Sequence, residues 1–527
     1  MRYKTWVFVI AATLFTALAM SVHVAAQDNP DLKKHAHHHY QLVSVGTFGG
    51  PNSSNAWAGL GNKTLSSLGT ITGEADTAAS DPYCLVFCFL ADAFQWKDGV
   101  ATELFGLPGN ANGTYADSIN SHGWVSGISG NGAVDPLTGY PEMVAVLWKG
   151  RRIADLGTLG GNGSAAYAIN DRGQVVGAAL NNVLDPFSNG FPAAYCGNSL
   201  CISDGYFYGA LFFPAATQTH AVLWQNSTIK DLGTLGGPDS VAWQVNDRGQ
   251  IAGQSYINST PNLTTGVPTI DPFFIGEDGK MVDLGNPLGG TVTWTTGLSN
   301  RGEVIGAMSV AGDTGWHPFL WSNGVIRDLG TLGADCGTPT AINGAGDVVG
   351  AACSPTSFFP VLWRNGALIN LGLVAGETCG EAYGINSHNQ IVGESGVCGS
   401  GIPGLGWLWE DGGPAIDLNA LVIPGSGIHF AHAVSINDRG EISGEGLLSN
   451  GDHRATVLIP CDENHPEVEG CDYDTVDSEA AAQLNPTPIT AAPAASPAKV
   501  SPAEMMPRFG SPRAGRNRRY RRMQTSP

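Results

Sequence analysis

Three short patterns recur along the chain, and each carries the period of a strand. The first alternates apolar with small or polar positions, as in HAVLW at 220–224. Relatives end at Trp96, Trp148, Trp321, Trp363 and Trp409, and DPFFI (271–275) and RATVL (454–458) hold the same place without Trp. Asn-Gly pairs such as Asn323-Gly324 and Asn365-Gly366 then turn the chain into Ile-x-Asp-Leu-Gly. Two alternating runs joined by such a pair predict a β-hairpin. The second pattern is DLGTLGG, at 155–161 and 231–237, with variants from Asp283, Asp328, Asn370 and Asp417 and weaker copies at 44–50 and 103–109. The third is AINDRGQVVG at 168–177, a second hairpin closed by a polar turn.

Glycine at 123, 173, 249, 302, 346 and 440 stands where that polar turn needs a positive φ. The exception is Asn389, the side chain that best tolerates the left-handed region.

The glycine closing the third pattern falls at 73, 127, 177, 253, 306, 350, 393 and 444, a mean step of 53 residues. Gly-broken alternation excludes a helical repeat. Four short strands per unit of this length predict a propeller blade. The chain opens with a lone Leu-Gly-type strand (40–46) and ends with a lone HAVLW-type strand (454–459), so each end holds the half-unit the other lacks. The expected fold is all-β: a closed β-propeller of about eight four-stranded blades over 40–460, its ring closed by the N- and C-terminal strands. Seven blades result if the degenerate first copy, TLSSLGTITG ending at Gly73, is a decorated loop.

HAVLW, DLGTLGG and AINDRGQVVG together resemble the bacterial HAF-repeat family of extracellular repeat proteins, over roughly residues 40–460. The resemblance implies an exported, β-rich repeat protein and brings no established chemistry with it.

Composition agrees. Charged residues are 14% and hydrophobic residues 43%, with 72 Gly among 527 residues and no three-residue period, which excludes disorder and collagen. Residues 40–482 hold 14 Lys and Arg against 43 Asp and Glu. Such an acidic body excludes nucleic acid as the main partner. Residues 1–26 read as a signal peptide: Arg2 and Lys4, an apolar run, then Val24-Ala25-Ala26, with Gln27 the expected mature start. No later run is long and apolar enough to span a membrane. A His-rich leader (27–39) is expected to be a mobile polar segment, with His35, His37, His38 and His39 as weak candidates for Zn²⁺ or Cu²⁺. After the repeats come an acidic Cys-containing extension (461–482), an Ala/Pro-rich linker (483–504) and an Arg-rich tail (505–527) expected to be disordered.

Ten cysteines suit an oxidising compartment, hence a secreted, extracellular or periplasmic protein. They form local pairs: Cys84/Cys88, Cys196/Cys201, Cys336/Cys353, Cys379/Cys398 and Cys461/Cys471. Cys336 and Cys379 both lie seven residues before the turn Asn343 and Asn386, which predicts a disulfide across the same hairpin in two successive units.

No nucleophile or metalloprotease motif appears, and no catalytic residue, metal or cofactor is assigned. The recurring Asp of Asp-Leu-Gly is expected to tie a turn, and Asp81, Asp135 and Asp185, each before Pro, to do the same. Two candidate binding features remain. The turn tips Arg172, Arg248, Arg301 and Arg439 could form a basic rim for sulfate, phosphate or uronate. The longest interruption carries the aromatic run Tyr206, Phe207, Tyr208, Phe212 and Phe213, suited to a sugar or protein partner. The leading expectation is an exported, non-enzymatic binding or scaffold module for a glycan or protein ligand. The alternatives are a carbohydrate-active propeller enzyme (hydrolase or lyase) built from pattern-breaking acids on different blades, and a structural envelope or matrix protein.

Overall fold

The computed structural model describes residues 36–477 apart from 56–62, 81–88, 138, 140, 188–215, 401–403, 411 and 467. It is all-β, built from eight units of four antiparallel strands. In the second unit these are Thr114–Ile119, Trp124–Val134, Pro141–Lys149 and Arg152–Asp155, each paired with its neighbour in chain order. The first strand is buried along its whole length, whereas the fourth is largely exposed. The third strand of the fourth unit touches the first strand of the fifth through one parallel pair, Ile270 with Val292, and the two units count as one sheet by that contact. The degenerate first copy folds as a full unit: Gly49–Ser54, Ile71–Ser80, Phe89–Lys97 and Val100–Leu104.

The eight repeat glycines have a steric cause. A Cβ at Gly177 would stand 1.9 Å from the Ala165 carbonyl oxygen, and at Gly393 2.0 Å from that of Glu381. The same carbonyl blocks Gly73, Gly127, Gly253, Gly306, Gly350 and Gly444. In the second to seventh units the first strand bulges one or two residues further on, as between Ala166 and Ala168, so the backbones crowd at this point and only glycine fits. The turn glycines take the expected positive φ, from 71° at Gly173 to 90° at Gly346, and Asn389 joins them at 63°.

The turn asparagine couples each unit to the next. Asn170 accepts from Arg172 and Gln174 amides at 3.1 and 3.0 Å and donates to the Asn246 carbonyl at 2.8 Å. Asn120 reaches Asn170, Asn246 reaches Ser299, Asn343 reaches Asn386, and Asn386 reaches Asn437 in the same way. Asn437 of the last unit donates to the Ser66 carbonyl of the first, 371 residues earlier, at 3.1 Å. Ser66 and Ser299 stand in the asparagine position and keep the accepting half, bonding the amides of Leu68, Thr70, Arg301 and Glu303, and Ser299 also donates to Glu303 Oε2 at 2.9 Å.

Apolar clusters lie between successive units, for example Ala145, Leu147, Ala166, Ile169, Val222 and Trp224 between the second and third. One further cluster joins the eighth unit to the first through Ala455, Val457, Ile71, Phe94 and Trp96. The eighth unit itself is shared by the chain ends. Ile428–Ile436, Ile442–Leu448 and His453–Pro460 are completed by Tyr40–Ser44, with Tyr40 opposite Pro460 and Ser44 opposite Thr456. This is the pairing expected from the two incomplete halves.

Disulfides join Cys336 to Cys353, Cys379 to Cys398 and Cys461 to Cys471, with Cα separations of 5.3, 5.6 and 5.4 Å. Cys84, Cys88, Cys196 and Cys201 lie outside the described residues. The part of the His-rich leader that is described is ordered, contrary to the mobile segment expected. Ala36–His38 pairs with Thr475–Asp477 from the acidic extension, His37 is buried, and its Nδ1 lies 2.7 Å from Glu410 Oε2. The pairing partner lies more than 400 residues away, so no local pattern could announce it. Among the described residues no helix is long and apolar enough to cross a membrane.

Candidate active site at the seventh and eighth units

The Asp of Asp-Leu-Gly ties its turn, as expected. Asp155, Asp231, Asp283 and Asp328 accept the amide two residues on at 2.7–2.8 Å. Asp135 and Asp185 do likewise for Leu137 and Phe187, and Asp81 lies outside the described residues. These aspartates have a second partner across the hairpin. His220 Nδ1 lies 2.9 Å from Asp231, and His317 Nδ1 2.8 Å from Asp328. In the fourth unit Asp271 takes the histidine position and meets Asp283 instead. Burial, then the Asp283 charge, pushes its carboxyl up to about 7. The first unit repeats this with Asp92 and Glu103, both raised, mainly by burial.

The arginine tips are engaged within the protein. Arg172 donates to the Arg248 carbonyl at 3.1 Å, Arg248 pairs with Glu277 at 2.8 Å, Arg301 with Glu303 at 2.7 Å, and Arg439 with Glu441 at 3.6 Å. Tyr206, Phe207, Tyr208, Phe212 and Phe213 lie outside the described residues.

The densest chemistry sits elsewhere, at positions that sequence reasoning passed over. Glu381 on the first strand of the seventh unit (Cys379–Ile385) lies directly opposite Glu394 on its second (Ile391–Gly396). Directly opposed residues hold their Cβ atoms about 4.5–5.5 Å apart. Glu381 is 4% exposed. Burial, then the facing Glu394 charge, pushes its carboxyl up to about 8, so it holds a proton at neutral pH. Tyr383, two residues along the same strand, hydrogen-bonds both carboxyl groups, and burial with these neighbours raises its phenol far above the usual range.

The eighth unit supplies the counter-charge. His432, which holds the position of Glu381 one unit on, is hydrogen-bonded through Nδ1 to Glu394. Burial pulls its imidazole down, but Glu394 and then Glu445 outweigh that and lift it to about 9. Glu445 lies opposite His432 and is hydrogen-bonded to His453, whose imidazole that bond raises. The His453 amide donates to Asn52 Oδ1 of the first unit at 3.0 Å. Carboxyl groups and histidines thus form one row, from the Glu381–Glu394 pair through His432 and Glu445 to His453. The Glu394 and His432 side chains remain 27% and 34% exposed, so the charged middle of the row meets solvent.

One signal pointed to this cluster. The residue after each closing glycine is Ile128, Ala178, Ala307 or Ala351 in four units and Gln254 in a fifth, but Glu74, Glu394 and Glu445 in the first, seventh and eighth. The clustering becomes visible only when the eighth unit is set beside the first.

No family model matches the chain, and no curated protein does. Solved structures are similar at low identity. The β-propeller domain of the trilobed protease from Pyrococcus furiosus shares 8% identity over 69% of this chain and 95% of its own, at a TM-score of 0.37. Pyrococcus horikoshii acylaminoacyl peptidase shares 11% over 72% of this chain and 56% of its own, at 0.35. TolB from Acinetobacter baumannii shares 8% over 71% and 94%, at 0.30. The expectation of a non-enzymatic binder or scaffold is therefore corrected: proteins of protease and peptidase name stand among these structures. No residue role is carried over from them.

Proposed function

We propose that the chain is an exported HAF-repeat protein whose eight units close into a β-propeller, and that it is a carbohydrate-active hydrolase working through Glu381 and Glu394. Support for closure comes from the shared eighth unit, the Asn437–Ser66 bond and the apolar cluster between the last and first units. The three disulfides fit export. In a propeller the first strands surround the central channel, and Glu381 and His432 both stand on first strands.

The observation that carries the activity is the opposed carboxyl pair in unlike surroundings. Burial keeps Glu381 protonated as a general acid, while the His432 imidazolium stands hydrogen-bonded against Glu394. Two carboxyl groups pushed apart in this way divide acid and base roles between them. One phenol, Tyr383, hydrogen-bonds both carboxyl groups, and two groups bridged by a single oxygen stand nearer the retaining separation of about 5–5.5 Å than the inverting one of about 6.5–9.5 Å. Glu381 gives its proton to the departing glycosidic oxygen as the bond to the anomeric carbon breaks. Glu394 attacks that carbon from the other side and forms a glycosyl ester. Water, deprotonated by the Glu381 carboxylate, then cleaves the ester and releases the sugar with its configuration kept.

The test is a panel of aryl glycosides and polysaccharides incubated with the purified protein. Turnover should fall by about 10²–10⁴-fold in Glu381→Gln, and in Glu394→Gln no glycosyl ester should form. Product anomers followed by NMR should be retained. Hydrolysis that survives undiminished in both variants, or no hydrolysis of any substrate, refutes the assignment.

A further inference from the structure

A second site lies apart from the acid–histidine row. The turns of the third and fourth units enclose a cavity of about 370 Å³. Its floor is apolar, with Leu223 and Leu232 from the third unit and Ile251 and Ile275 from the fourth. Its rim carries three cations, Arg172, Lys230 and Arg248, and one acid, Glu277. On a body with 43 acidic against 14 basic residues over 40–482, a concave lining with a cationic excess is a local reversal of sign.

The cations are not equivalent. Arg248 spends Nε and Nη2 on Glu277 Oε1, at 3.0 and 2.8 Å. Arg172 is anchored by Nη1 on the Arg248 carbonyl, which sets its guanidinium at the rim and leaves its other donors for a ligand. Lys230 stands exposed on the fourth strand of the third unit. Its ammonium lies 3.9 Å from where a Cβ at Gly279 would sit, so the bare glycine turn leaves it room over the cavity. An anchored guanidinium and an exposed ammonium above an apolar floor match a ring that carries one anionic group on its edge. The volume suits one or two sugar rings at the lower end of ordinary ligand pockets, about 300–1,000 Å³.

We propose that this cavity binds an acidic sugar residue, its carboxylate or sulfate between Arg172 and Lys230 and its ring face on Leu223, Leu232 and Ile251. The site holds acidic glycan chains without reacting with them. It does not depend on the hydrolase reading, because it shares no residue with Glu381, Glu394 or His432.

Saturation-transfer NMR tests it, with glucuronate, glucose 6-sulfate and neutral glucose as probes at millimolar concentration, where weak single-residue sugar binding is read. Both anionic probes should give signal and glucose none. The double variant Arg172→Ala/Lys230→Ala should lower the signal about tenfold, since two solvent-exposed ion pairs, each worth only a few-fold in water, are lost. Both side chains are on the surface, so the variant should keep the native melting temperature. Glu277→Gln should strengthen binding by freeing Arg248, and Glu381→Gln should leave it unchanged. Signal from only one anionic probe retains the site and narrows the ligand to carboxylate or sulfate. Equal signal from glucose, no signal from either anion, or undiminished signal in the double variant overturns the proposal.

Discussion

Asn437→Ala probes the bond that carries the ladder from the last unit to the first. The side chain makes four hydrogen bonds: to the Ser66 carbonyl at 3.1 Å, to Glu441 Oε2 at 2.6 Å, and from the Arg439 and Glu441 amides at 3.0 and 3.1 Å. Alanine removes all four and strands polar groups around a buried position. At about 1 kcal/mol net per bond, the loss is about 4 kcal/mol. A body of roughly 400 residues unfolds with an entropy near 0.8 kcal/mol/K at about 2.1 cal/mol/K per residue, so the melting temperature should fall by about 5 °C. The protein contains its own control. Ser66 and Ser299 occupy the same position and keep the two accepting bonds. Ser299 also donates to Glu303 Oε2 at 2.9 Å, as Asn437 does to Glu441, so Asn437→Ser should keep three of the four bonds and lose about a quarter as much as Asn437→Ala. Calorimetry or a fluorescence melt of the two variants decides the matter. If serine is as damaging as alanine, the retained bonds contribute nothing; if alanine leaves the melt unaltered, the ladder is not a structural tie.

Other perturbations have equally definite outcomes. Because the Glu381 carboxyl rises from 4.5 to about 8 on folding, its contribution is complete below pH 4.5 and lost as pH climbs to 8, so Glu381→Gln should flatten the fall in denaturant stability over that window. Asp271, raised to about 7 beside Asp283, should be improved by Asp271→His, which recreates the His220–Asp231 pair; a urea midpoint at pH 7.5 that does not rise refutes this. Deleting 454–460 removes the strand that pairs with Tyr40–Ser44 and should lower the melting temperature of the whole body, while deleting 505–527 should not. Opening Cys336–Cys353 by double serine substitution should cost about 3 kcal/mol from the closed-loop entropy, read as a shifted guanidinium midpoint.

Much of this architecture was legible in the residues because its causes are local. A strand period, an Asn-Gly turn and a glycine at positive φ each act within ten residues, and the eightfold repetition multiplies a weak signal into a firm one. Asn389 in a glycine's place, at a φ of 63°, shows how closely backbone sterics tie residue type to conformation. The incomplete end strands announced their own pairing, since an unpaired strand edge is costly. The turn-tying aspartates were equally readable, because an Asx turn spans two residues.

Tertiary structure alone decided the site. Glu381 departs from the pattern, Glu394 shares its departure with Glu74 and Glu445, and nothing in either position tells its neighbours. Strand register sets them opposite each other, and the packing of the seventh unit on the eighth brings His432 to Glu394. Protonation follows from that assembly, since burial and a facing charge, not residue type, lift Glu381 to about 8. The same holds for the Arg172–Lys230–Arg248 rim, whose two arginines the turns predicted but whose lysine and apolar floor come together only from two different units. Repetition is a property of the chain and can be counted along it; the contact between two exceptions to the repeat exists only where separate units meet in space.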